Sequence, residues 1–144
     1  MNLIYKFTLT FFGAGYMKYA PGSIASLLSM IIWYFVPNHL ILQLLVLFLI
    51  LLLSIFSCYK HSATSDIKDP QYIVIDEVLG MSISLFLLPK QITLYLLAFI
   101  IFRVFDILKP SIVYNIQDLD NGIGIIADDM VAGLFTFIIL YGII

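Results

Sequence analysis

The sequence predicts an all-α, polytopic integral membrane protein: a helical bundle of about five spanning or partly spanning helices, preceded by a short N-terminal interfacial helix. Of the 144 residues, 62% are hydrophobic and only 11% are charged, whereas a soluble domain carries about 25% charge. The mean hydropathy is +1.10. Leu40 to Cys58 runs 19 residues without a formal charge, the length that a bilayer core demands. Because lipid excludes unpaired strand edges, the apolar segments read as helices.

At the N-terminus, Leu3, Ile4, Phe7 and Phe11 share one helical face opposite Asn2 and Lys6. That pattern suits a helix lying in the interface, and equally an ordinary packing face. No basic start and no small-residue cleavage site mark these residues as a signal peptide, so they are expected to remain in the mature chain. The apolar segments that follow are Ser23 to Val36, Leu40 to Cys58, Ile73 to Leu88, Ile92 to Leu108 and Ile123 to Ile144. Pro37-Asn38-His39 and Pro89-Lys90-Gln91 make tight reversals. The longer connections run from Tyr59 to Tyr72, with Lys60, His61, Asp66, Lys68 and Asp69, and from Pro110 to Gly122, with Asp118 and Asp120. Without a linker, low-complexity tract or internal repeat, residues 1–144 read as a single membrane-embedded domain.

Two spans are too short unless they take in their charges. Met130 to Ile144 gives about 22 Å of helix against a hydrocarbon core of about 30 Å. The last helix must therefore include Asp128 and Asp129, and the fourth must include Arg103 and Asp106. Following the hairpins from span to span places Asp76, Glu77, Arg103, Asp106, Lys109, Asp128 and Asp129 near one membrane face, together with the segment Gly13 to Ser23. That face also holds Lys6, Lys18, Lys60 and Lys68, while the other has only Lys90. By the positive-inside rule the charged face is cytoplasmic.

Five carboxylates, Asp76, Glu77, Asp106, Asp128 and Asp129, stand against Arg103 and Lys109, leaving a formal charge of −3. Near lipid this requires protonation or a bound cation, and hard oxygen ligands without a His or Cys cluster favour Mg²⁺ or Mn²⁺ over Zn²⁺. Gly80 lies four residues after Asp76, and Gly133 four after Asp129, so each carboxylate shares a helix face with a glycine that permits close helix contact. Arg103, Asp106 and Lys109 recur every three residues on one arc, and two cations beside a metal site suggest phosphate. Salt bridges from Arg103 and Lys109 to Asp76 or Asp129 are the structural alternative.

In Gly13 to Ser23, the glycines, the Pro21-Gly22 turn and Ser23, placed to cap the first span, allow a backbone-lined phosphate cradle or a simple helix-start turn. Lys18 is placed to meet lipid phosphates or water. His39 falls on the opposite face and His61 in a solvated loop, so neither is a candidate acid or base. Cys58, in an apolar helix, reads as an inert buried thiol. A net charge of −2 gives no electrostatic reason for a nucleic-acid partner.

Read together, APGSIASL (Ala20 to Leu27), IVIDEVLG (Ile73 to Gly80), FRVFDILKP (Phe102 to Pro110) and GIGIIADDMVAG (Gly122 to Gly133) resemble the motifs of the phosphatidylglycerophosphatase A family in order, spacing and membrane context. The family's DE pair falls on Asp76 and Glu77, its FRxFDxxKP signature on Arg103, Asp106 and Lys109, and its DD pair on Asp128 and Asp129. Two departures stand out. Ser111-Ile112-Val113 replaces a Trp-Pro-Ile-like run after KP, and Ala25 replaces a glycine of the PGT-x-G motif.

The resemblance implies a small, multi-pass, Mg²⁺-dependent enzyme of the bacterial cytoplasmic membrane that converts phosphatidylglycerophosphate to phosphatidylglycerol and inorganic phosphate. On that reading Asp76, Glu77, Asp128 and Asp129 supply the metal ligands, while Arg103 and Lys109, with Lys18, Gly22 and Ser23, contact phosphate. The attacking group is a metal-activated water assisted by a carboxylate, or Asp106. A CDP-alcohol phosphotransferase is a rival, but its DGxxAR signature is absent. An ion- or proton-coupled transporter is another, although the charges crowd one face instead of the midplane.

Overall fold

The computed structural model describes residues 3–64, 70–109 and 122–144. Among these the chain is entirely helical: α1 (Leu3–Leu9), a 3-10 turn (Ala14–Tyr16), α2 (Pro21–Phe35), α3 (Leu40–Thr64), α4 (Ile75–Ser84), α5 (Ile92–Leu108) and α6 (Ile123–Ile143). The connecting residues Asp66, Lys68, Asp69, Asp118 and Asp120, like Asn2 and the Ser111-Ile112-Val113 run, lie outside the described residues.

Helix α4 is the hub. It packs against α2, α3, α5 and α6, and eight of its ten residues are buried. The sequence predicted a helix reaching Leu88, but α4 stops at Ser84, short of a bilayer thickness. Side chains from distant segments satisfy the backbone beyond that point. Trp33 Nε1 donates to the Leu85 carbonyl at 3.0 Å, Asn38 Nδ2 donates to the Leu88 carbonyl at 3.1 Å, and the Leu87 amide donates to Gln43 Oε1 at 2.7 Å. Gln43 is itself fully buried. A backbone with such partners can leave the helix inside a protein without an unsatisfied polar group.

The crossing of α4 and α6 is closer than ordinary side chains allow. A Cβ added to Gly80 would stand 2.6 Å from the Asp129 carbonyl oxygen and 2.6 Å from the Phe102 ring, and one added to Gly133 would stand 3.1 Å from Gly80 Cα. Ser84 reinforces the crossing, its hydroxyl donating to the Gly80 carbonyl at 3.0 Å and lying 3.5 Å from that of Gly133. The glycine-face expectation is met at both positions.

Helix α3 turns most of its surface outward, and Ile41, Leu45, Phe48, Leu49, Leu52 and Phe56 are all exposed. Among the described residues, α3 and α6 are the two helices long and apolar enough to cross a membrane. The polar end of α3 was predicted as loop, yet the helix continues to Thr64 and buries His61, whose ring meets Tyr72 edge-on with centroids 5.8 Å apart. His61 is therefore not in a solvated loop. Cys58 is fully buried, as predicted.

At the opposite end, Lys90 Nζ donates to the carbonyls of Trp33 at 2.6 Å and Tyr34 at 2.8 Å, and to that of Val36. A cation there also complements the negative end of the α2 dipole. Burial lowers the Lys90 pKa below the usual lysine range.

Substitution of either crossing glycine tests this packing. Gly80→Ala and Gly133→Ala should each destabilise the protein by about 1–3 kcal/mol through overpacking. Gly142→Ala should be neutral or slightly stabilising, because nothing lies within 4 Å of its added Cβ and alanine favours helix. Thermal unfolding in detergent, followed by circular dichroism, reads all three.

Candidate phosphate and metal site

One pocket gathers most of the residues that the sequence singled out. It has a volume of about 320 Å³ and is lined by Lys18, Ala20, Pro21, Gly22, Gln71, Ile73, Asp76, Glu77, Arg103, Asp106, Lys109, Asp128 and Asp129. Helix α4 brings Asp76 and Glu77 in its first turn. Because α6 crosses it at the paired glycines, Asp129, one turn before Gly133, arrives beside Asp76, one turn before Gly80.

Asp76, Glu77 and Asp129 form the deep group, each offering a carboxylate oxygen within 4.8 Å of the others. Asp76 Oδ1, Glu77 Oε2 and Asp129 Oδ2 are buried without a hydrogen-bond partner among the described residues. Leaving three such acceptors unsatisfied is costly, and a hard divalent cation that takes oxygen ligands suits this donor set. The residues therefore fit a hard divalent cation such as Mg²⁺, which Asp76, Glu77 and Asp129 would hold.

The fourth predicted ligand stands apart. Asp128 Oδ2 accepts from Lys109 Nζ at 2.9 Å, and its Oδ1 accepts from the Asp129 backbone N–H at 2.9 Å. Asp128 positions its neighbour and is held by a cation, so it is not grouped with the three deep carboxylates. The expected salt bridges likewise take different partners, with Arg103 pairing to Asp106 one turn along α5 and Lys109 pairing to Asp128. Arg103 keeps its Nε buried without a hydrogen-bond partner among the described residues, a donor directed by a fixed guanidinium plane. Lys109 ends α5 in the left-handed conformation, φ 41°.

Gly22 lines the pocket for a steric reason. A Cβ there would lie 3.0 Å from Glu77 Cδ and 3.3 Å from Arg103 Nη1, so the missing side chain makes room for both groups. Ser23 does not line the pocket. It does not cap α2 either, because the helix starts at Pro21 after Ala20, which adopts φ 44° and offers no side-chain cap. Ala25, where the resembled family has glycine, is fully buried without disrupting α2. Lys18 and Gln71 are exposed at the pocket's rim. Gln71 was not singled out from the sequence, where a lone amide in a polar connection carries no signal.

A family model described as phosphatidylglycerophosphatase A matches residues 7–144. A protein of that name from Haemophilus influenzae is 36% identical, with 92% of this chain and 83% of the relative covered. Another of that name from Escherichia coli is 35% identical over 90% of this chain and 77% of the relative. A Bacteroides thetaiotaomicron protein provisionally named phosphatidylinositol-3-phosphatase is 32% identical over 91% of this chain and 87% of its own length. No solved structure matches. The resemblance first suggested by four short motifs thus extends through the helices that carry them, and the chain belongs to the phosphatidylglycerophosphatase A family.

Proposed function

We propose that this chain is a Mg²⁺-dependent lipid phosphatase that hydrolyses phosphatidylglycerophosphate to phosphatidylglycerol and inorganic phosphate at the cytoplasmic face of a bacterial membrane. The observation that carries the chemistry is the set of buried groups in one pocket that lack partners among the described residues, three carboxylate oxygens and the Arg103 Nε. Family membership supports the substrate. The outward apolar surface of α3 supports burial in a bilayer, with about five spanning or partly spanning helices as the sequence predicts.

A Mg²⁺ ion held by Asp76, Glu77 and Asp129 would offset negative charge on the terminal phosphate and on the reacting oxygens. Arg103 offers its Nε–H to a phosphate oxygen, and its pairing with Asp106 fixes the guanidinium plane before the lipid arrives. Such preorganised donors favour the transition state, where charge shifts onto the oxygens. Lys109, anchored by Asp128, adds a point charge on the same side. Asp106 is engaged by its ion pair with Arg103, which favours water as the attacking group. A P–O bond to water forms, a carboxylate of the pocket accepts the water's proton, and the bond to the glycerol oxygen breaks as that carboxylate returns the proton to it. The acyl chains stay in the bilayer throughout.

The direct test supplies detergent-purified protein with phosphatidylglycerophosphate, with and without Mg²⁺, and measures phosphate release. Release should need the ion, and its absence under both conditions would refute the proposal. Asp76→Asn and Asp129→Asn should each lower turnover by about a hundredfold or more while circular dichroism shows the helices intact; unaltered turnover in both variants would rule out the site. Mg²⁺ should raise the melting temperature of the wild type by mass action, and this rise should vanish in Asp129→Asn. Gly22→Ala, by displacing Glu77, should reduce turnover about tenfold with little effect on stability.

A further inference from the structure

We propose that the rim formed by Lys18 and Gln71 recognises the phosphodiester of the lipid, separately from the deeper groups that act on the terminal phosphate. The inference rests on the lipid-phosphatase reading and assigns it a second subsite. Phosphatidylglycerophosphate carries two anionic centres, a terminal monoester and an internal diester, joined by a glycerol. Within the pocket the three cations differ in kind. Arg103 is paired with Asp106 and Lys109 with Asp128, and both cations are partly buried. Lys18 sits at the rim and has no carboxylate partner among the described residues; its Nζ lies 5.5 Å from the centroid of the Tyr19 ring.

Placement favours the diester. The deep end already holds the donor and ligand set that a monoester needs, and a lipid bound there must lead its diester outward toward the headgroup layer. The segment bearing Lys18 also exposes Tyr16 and Tyr19, aromatic residues of the kind enriched at membrane interfaces. Met17, next to Lys18 in the chain, lines an apolar hollow of about 440 Å³ together with Phe12, Ile24, Leu28 and Ile32 among others. Ile24, Leu28 and Ile32 recur every four residues and make a stripe about 12 Å long on α2. An acyl chain of the same lipid fits that stripe once its diester is at Lys18. Gln71 offers a neutral amide to the diester's free oxygens or the glycerol hydroxyl, where a second cation would be redundant.

Steady-state kinetics in mixed micelles of detergent and phosphatidylglycerophosphate test the assignment. Lys18→Gln should raise KM about tenfold, as expected for one charge-assisted contact, with kcat changed less than about threefold, and Lys18→Arg should restore KM. Two product inhibitors then separate the subsites. Phosphatidylglycerol, which has the diester alone, should inhibit Lys18→Gln more weakly, whereas inhibition by inorganic phosphate should be unchanged. An unaltered KM, a fall confined to kcat, or equal weakening of both inhibitors would overturn the inference. Wild-type protein inactive on phosphatidylglycerophosphate would sink the parent reading instead, a result distinct from an active enzyme indifferent to Lys18.

Discussion

The closeness of α4 and α6 at Gly80 and Gly133 is the constraint on which the site depends. Both helices start from the same end of the bundle, and each has its carboxylate one turn before its glycine. The backbone contact therefore brings Asp76 and Asp129 together with no room for adjustment. Like charges at that separation oppose folding unless something compensates them. Packing at the crossing holds the acids in place, and that placement leaves their charge to be offset by protonation or by a cation. Gly22 plays a similar part on the third side, where the absence of a side chain lets Glu77 and Arg103 approach.

Around this centre, charge is arranged in layers. Among the described residues, the innermost carboxylates have unsatisfied oxygens, the next acids are each matched with a base, and the rim has a lysine without a carboxylate partner. Matching Asp106 and Asp128 to bases limits the deep negative charge to three groups. It also orients the bases, because a guanidinium or ammonium tethered by a neighbour loses less rotamer freedom on meeting an anion, as the proposed phosphate contact requires. Ion pairs that contribute little to stability can thus prepare a site.

Much of this was legible in the sequence. Hydropathy and the direction of the hairpins placed the acids and bases at one end, and the four-residue spacing of Asp76 to Gly80 and Asp129 to Gly133 foretold the crossing. Partner choice was not legible. Arg103 could have reached several acids, and only the folded geometry selects Asp106. The early end of α4 was hidden because Trp33, Asn38 and Gln43, which satisfy its unwound backbone, lie more than forty residues away in sequence. The extra turns of α3 were missed because Lys60 and His61 interrupt the apolar run, although a helix can continue past a bilayer and bury a polar face against its own protein. Ser23 looked like a cap because its type suits one, but Pro21 had already begun the helix.

Lys90 bears on how such a chain is assembled. In the proposed orientation its ammonium has to be carried across the bilayer and left on the far side, against the bias that retains cations in the cytosol. Three carbonyls at the end of α2 substitute for part of its water shell. Once α2 has formed, the docked ammonium becomes a latch on the hairpin between α4 and α5, so the second hairpin is secured by the helix inserted before it.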